Sequence, residues 1–83
     1  MVEPVSVTVY SRENCHLCDE AIGTIEDVAN TVPSQVDIDV VDVDEDPELR
    51  TEVGEKVPYI LVDGQPAFKY RIERDKLRSK LMR

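Results

Sequence analysis

Apolar and polar residues alternate with a period of two along Val5-Ser6-Val7-Thr8-Val9-Tyr10, which predicts a strand buried on its valine side. Four polar residues follow, Ser11-Arg12-Glu13-Asn14, and then the period changes. Leu17, Ala21, Ile22, Ile25, Val28, Ala29 and Val32 recur mostly at spacings of three and four, so a helix opens at Cys15. Asp19 and Glu20 fall in its first turns, where the helix dipole favours carboxylates, and Thr31-Val32-Pro33 ends it. Alternation then returns: Val36, Ile38 and Val40 interleave with Asp37 and Asp39, and Val41 and Val43 prolong the run. Strand, helix and strand in this order imply a parallel pair joined by a right-handed crossover.

Asp46-Pro47-Glu48 reads as a helix start, with Asp46 as cap, Pro47 at the first helical position and Glu48 suited to the dipole. The helix is short, with Gly54 as its stop. Pro58-Tyr59-Ile60-Leu61-Val62 predicts a third strand, and Asp63-Gly64 is a hairpin signal that turns residues 65–70 back antiparallel. Residues 73–82 predict a last helix with Ile72, Leu77, Leu81 and Met82 on its buried side. Tyr10, Tyr59 and Phe68 are expected in core packing. The element order is β-α-β-α-β-β-α. With no internal repeat, low-complexity tract or linker, residues 1–83 are expected to form one small domain.

The net charge of −8 is unevenly spread. Residues 1–68 carry 16 acids against Arg12, Arg50 and Lys56, a net −13, whereas residues 69–83 carry seven bases against Glu73 and Asp75, a net +5. An acidic surface argues against nucleic acid as the main ligand. The basic end reads first as a solvated helix face. No apolar run is long enough to span a membrane, and Met1-Val2-Glu3-Pro4 shows no secretory signal, so a cytoplasmic location is expected. Asp42 to Asp46 mimics a calcium loop, but Pro47 stands where glycine is required and Val53 where a glutamate is.

The candidate chemistry is Cys15-His16-Leu17-Cys18, which holds the only two cysteines. A thiol at the first turn of a helix meets free backbone N–H groups and the positive end of the dipole, which favour its thiolate, the form that attacks disulfides. A second thiol one turn further on is placed to resolve what the first captures. A bridge this short closes almost no chain and stabilises by only about 2 kcal/mol, so a purely structural purpose is poorly served. Cys15, nearer the helix start and the polar loop, is the expected nucleophile, and Cys18 the resolving thiol. Arg12 and a protonated His16 would favour the Cys15 thiolate, whereas Glu13, Asp19 and Glu20 act the other way. Three rival readings remain. Zinc would find only Cys15, His16 and Cys18 locally; two copies could share an iron–sulfur cluster through four thiolates; or the pair could be inert and buried.

Val7-Thr8-Val9-Tyr10-Ser11, followed by Cys15-His16-Leu17-Cys18-Asp19-Glu20-Ala21, resembles the glutaredoxin-like branch of the thioredoxin superfamily. Val57-Pro58-Tyr59-Ile60-Leu61-Val62-Asp63-Gly64 resembles its second hallmark, and the likeness covers nearly the whole chain. It implies an α/β thioredoxin-like fold of the minimal glutaredoxin form, a four-stranded mixed sheet with helices on both faces. It also implies a cis Pro58 facing the cysteines, with the Val57 backbone pairing an extended thiol substrate. Arg12, in the family's pattern, would meet a glutathione carboxylate, and His16 and Leu17 would flank the substrate. The chain departs from the pattern in having His16-Leu17 where many members carry Pro-Tyr. It also lacks the Gly-Gly of glutathione-binding members: the region reads Phe68-Lys69-Tyr70-Arg71-Ile72-Glu73, which leaves Lys69 or Arg71 to substitute electrostatically.

The sequence therefore points to a small dithiol oxidoreductase that reduces protein or glutathione mixed disulfides. No cofactor is expected to be tightly bound, and glutathione or a thioredoxin-reductase-like protein would serve as reductant. The chain is expected to be a monomer that binds neither nucleic acid nor membrane. The alternatives are a non-catalytic iron–sulfur cluster carrier acting as a dimer and a redox-silent interaction module on the same fold.

Overall fold

The computed structural model describes residues 4–82. Strand β1 (Val5–Ser11) leads into helix α1 (His16–Ala29), and β2 (Val36–Asp42) follows. A 3₁₀ turn (Val43–Glu45) and helix α2 (Pro47–Val53) connect to β3 (Tyr59–Val62), β4 (Gln65–Lys69) and helix α3 (Arg74–Leu81). The strands form one mixed sheet in the order β2-β1-β3-β4, with β1 parallel to β2 and antiparallel to β3, and β4 antiparallel to β3. This is a thioredoxin-like α/β architecture, a four-stranded mixed sheet flanked by helices, with the element order that the periodicity predicts.

The register explains the core. Val5, Val7 and Val9 pair with Val36, Ile38 and Val40 on one side, while Val7 and Val9 pair with Val62 and Ile60 on the other. Alternation along each strand therefore sends these residues to one face. Val5, Val7, Val9 and Ile60 are fully buried there beneath Ile25 and Val28 of α1 and Leu77 and Leu81 of α3, with Phe68 packed against them. Burying each such aliphatic side chain is worth about 1.5–3 kcal/mol. The opposite face carries Thr8, Tyr10, Val41, Tyr59 and Leu61, all half-buried. The Tyr10 and Tyr59 rings stack there with centroids 6.2 Å apart. The tyrosines thus pack on the lightly covered face rather than in the core, and α2 buries none of its residues fully.

Four local outcomes differ from the periodicity. Helix α1 stops at Ala29, short of Val32: the Thr31 hydroxyl donates to the Val28 carbonyl at 2.8 Å, and a polar side chain competes for that carbonyl at the helix end. Val32 is nevertheless buried, from the turn that follows. Val43 leaves the strand and is fully buried in the 3₁₀ turn, because the Asp42 carboxylate accepts from the Asp44 amide at 2.9 Å and bends the chain there. Gly54 ends α2 in a right-handed conformation (φ −57°), so close approach rather than φ requires it: a Cβ here would collide with the Arg50 carbonyl. Finally, β4 ends at Lys69 because Tyr70 takes φ +69°. The Asp63-Gly64 hairpin forms as expected, with φ +52° and +82°, both positive as a type I′ turn requires.

Candidate active site

Asn14, at φ +57°, turns the chain out of the loop after β1 and places Cys15 at the N-cap of α1 in an extended conformation. The Cys15 carbonyl accepts the first helical hydrogen bond, from the Asp19 amide at 3.1 Å. Its Sγ accepts from the Cys18 amide, also at 3.1 Å. The sulfur thus occupies the place of a capping oxygen, where an otherwise unpaired amide and the helix dipole favour negative charge. Cys15 and Cys18 are joined in a disulfide with Cα atoms 5.2 Å apart. The two sulfurs differ in access: Cys15 is half-buried, whereas Cys18 is 2% exposed.

The Val57–Pro58 peptide bond is cis. Tyr10 pairs antiparallel with Tyr59, and continuing that register sets Pro58 opposite Ser11, at the start of the loop leading to Cys15. Pro58 is fully buried, and its carbonyl accepts from the Tyr70 amide at 2.8 Å. Val57 is half-buried, and among the described residues no hydrogen bond engages its amide or carbonyl.

The remaining expected residues part company. Arg12 forms a bidentate pair with Asp44, Nε at 3.1 Å from Oδ2 and Nη2 at 3.0 Å from Oδ1, and its Nη1 reaches the Gly54 carbonyl at 3.4 Å. The guanidinium expected to meet a ligand carboxylate therefore holds one of the protein's own, because the 3₁₀ turn at Val43 brings Asp44 to it. His16 is exposed in the first turn of α1. Leu17, 44% exposed, stands at the rim of a groove of about 250 Å³ lined by Glu20, Ala21 and Thr24 of α1 and by Tyr70, Arg71 and Ile72. The sequence had suggested only an electrostatic part for Arg71 and none for Tyr70 or Ile72. The missing Gly-Gly marks the same segment, and the structure shows that side chains line the groove there. Among the described residues no group of three or more His, Cys, Asp or Glu is placed to hold a metal ion, and no helix is long and apolar enough to cross a membrane.

The profile of the Glutaredoxin-like domain family (DUF836) matches residues 6–82. A thioredoxin of Methanocaldococcus jannaschii is 31% identical over 65 residues, covering 77% of this chain and 76% of that protein. A solution structure of a Nitrosomonas europaea protein superposes with a TM-score of 0.81 at 26% identity, over 98% of this chain and 95% of that one. An X-ray structure of a structural-genomics target from X. campestris gives 0.72 at 25% identity, over 88% and 91%. The chain therefore belongs to the glutaredoxin-like domain family of the thioredoxin superfamily, and the Cys15–Cys18 pair at the head of α1 makes it a thiol–disulfide oxidoreductase.

Proposed function

We propose that the chain acts as one domain that reduces disulfides through two unequal thiols, with Cys15 as nucleophile and Cys18 as resolving residue. The observation that carries this assignment is the difference in access: Cys15 is half-buried at the N-cap, and Cys18 is sealed one turn inside. In the reduced protein the Cys15 thiolate attacks one sulfur of a substrate disulfide. A Cys15–substrate disulfide forms, and the other substrate sulfur leaves as a thiolate that takes up a proton. Cys18 then loses its proton and attacks the Cys15 sulfur, which releases the second substrate thiol and closes the Cys15–Cys18 bridge. Two electrons and two protons pass from the dithiol to the substrate.

The substrate strand is read as pairing with the free backbone edge of Val57, above cis Pro58, as an added strand does. Leu17 and His16 flank it. Arg12 acts from behind as a positioning residue, since its guanidinium already holds Asp44 and the Gly54 carbonyl. The bridge returns to the dithiol when two molecules of glutathione are oxidised to their disulfide, or when a thioredoxin-reductase-like protein supplies two electrons. A cytoplasmic monomer suits this cycle, since a reducing compartment keeps the dithiol form supplied.

Alkylation of the reduced protein across pH, with Cys15→Ser and Cys18→Ser alongside, tests the roles. The reactive thiol is expected to titrate below an ordinary thiol because the capping amide and helix dipole stabilise its thiolate. Cys15→Ser is expected to abolish turnover, and Cys18→Ser to accumulate a mixed disulfide. Faster labelling of Cys18 than of Cys15 would reverse the roles.

A further inference from the structure

The sheet order sorts charge in space. Strand β2, with exposed Asp37 and Asp39, forms one edge, and β4, ending in exposed Lys69, forms the other. Those edges are three strand spacings apart, about 14 Å. Beyond β4 the chain continues through Arg71 into α3, where Leu77 and Leu81 are the buried face. Helical spacing then puts Arg74 and Arg78 on one flank of that face and Lys76 and Lys80 on the other. Lys76 is matched by Glu73 at 2.9 Å, and Arg74 only loosely by Asp27 at 3.9 Å. Among the described residues Arg71, Arg78 and Lys80 have no acidic partner within salt-bridge distance. A chain of net charge −8 thus leaves unmatched cations on both flanks of α3, with exposed Asp75 on the face between them.

That basic surface begins at the active site. Arg71 lines the groove that opens at Leu17, the residue beside Cys18, and the preceding Tyr70 amide is bonded to the Pro58 carbonyl. The groove also holds Glu20, so its floor is not itself a carboxylate site, and the unmatched positive charge lies further along α3. Screening decides which charges an approaching partner senses. The acidic β2 edge lies about 14 Å from β4, more than one Debye length of about 8–10 Å at physiological salt. A partner close to α3 therefore senses that helix's own charges, Asp75 and the neighbouring Asp27 among them, more strongly than the acidic β2 edge.

We propose that the basic surface of Arg71 and α3, with Arg74 and Arg78 on one flank of the helix and Lys80 on the other, docks an acidic polypeptide segment next to the disulfide of a partner protein, and so delivers that disulfide to Cys15. The inference rests on the oxidoreductase reading and adds the class of substrate. Charge of this kind acts chiefly on the rate of encounter and on the choice of partner.

Three synthetic peptides test it, each carrying one cysteine in a mixed disulfide with 2-mercaptoethanol and flanked by three Glu, three Ser or three Lys. Hydroxyethyl disulfide serves as a neutral small substrate. At low salt the Glu peptide is expected to react about tenfold faster than the Ser peptide, and the Lys peptide more slowly than either, with the differences gone by about 0.5 M salt. Arg78→Glu combined with Lys80→Glu, both outside the groove, should bring the Glu peptide to or below the Ser peptide. Hydroxyethyl disulfide should still react at the original rate, which also shows that the variant is folded. Arg78→Gln with Lys80→Gln should give an intermediate loss. Equal rates for the three peptides, or an advantage that survives the charge reversal, would overturn the docking surface while leaving the oxidoreductase reading intact. Failure of the unaltered protein to reduce hydroxyethyl disulfide would instead overturn that reading.

Discussion

The two sides of the cysteine loop are built on opposite principles. On the side of the 3₁₀ turn and α2, the contacts that hold the loop are made within the protein: Arg12 is shared between Asp44 and the Gly54 carbonyl, and Asp42 and Asp46 cap their own turns. On the side of β4 and α3, Tyr70 is 43% exposed with a left-handed backbone, Leu17 stands at the rim, and Arg71 has no acidic partner among the described residues. The first side fixes where the nucleophile sits. The second has unused contacts to give. A redox protein needs both, because the sulfur must be held in place while its surroundings remain open to different partners.

The sharpest way to break this comparison is to loosen one side alone. Leu77→Ala removes the fully buried anchor of α3 and is expected to cost about 2–5 kcal/mol in denaturant unfolding. Native-state hydrogen exchange should then rise first across residues 70–81, with residues 12–15 protected for longer. Uniform acceleration would mean that the two sides open as one cooperative unit. A smaller effect is expected from Asp44→Ala, which frees Arg12. The pair is more than a third exposed on the arginine side, so the loss should stay below about 1 kcal/mol. Exchange should rise locally at residues 12–15, and unchanged protection there would deny the pair its tethering role.

The smallest effect concerns pH. Glu73, by hydrogen bond and by charge, holds the exposed Lys76 ammonium above its usual value of 10.5. A raised lysine contributes stability that is complete below 10.5 and is lost as pH rises through the folded value. Glu73→Gln should return Lys76 to an ordinary titration, read by NMR at Nζ, without moving the thermal midpoint at neutral pH. A drop in that midpoint would show that Glu73 also matters as the N-cap of α3, where it makes no side-chain capping bond.

Much of this protein is legible in its sequence because local chemistry decides it. The period-two valines of β1, the cap-and-proline start of α2 at Asp46-Pro47 and the Asp63-Gly64 turn each depend on residues adjacent in the chain. Cys15 and Cys18 belong to the same class, since one turn of helix fixes their relation. What the sequence does not show lies where distant segments meet. The pairing of Arg12 with Asp44 is one such case: its partner lies 32 positions away and faces it only after Val43 has left the strand. The groove beside Leu17 is another, because its far wall comes from the segment after β4.

The sequence by itself determined the elements, their order and the dithiol, since these follow from periodicity, capping and turn chemistry within a few residues. Only the tertiary structure decided which charges cancel and which remain. The sheet order sends β2 and β4 to opposite edges, and electrostatic matching depends on distance in space rather than on separation along the chain.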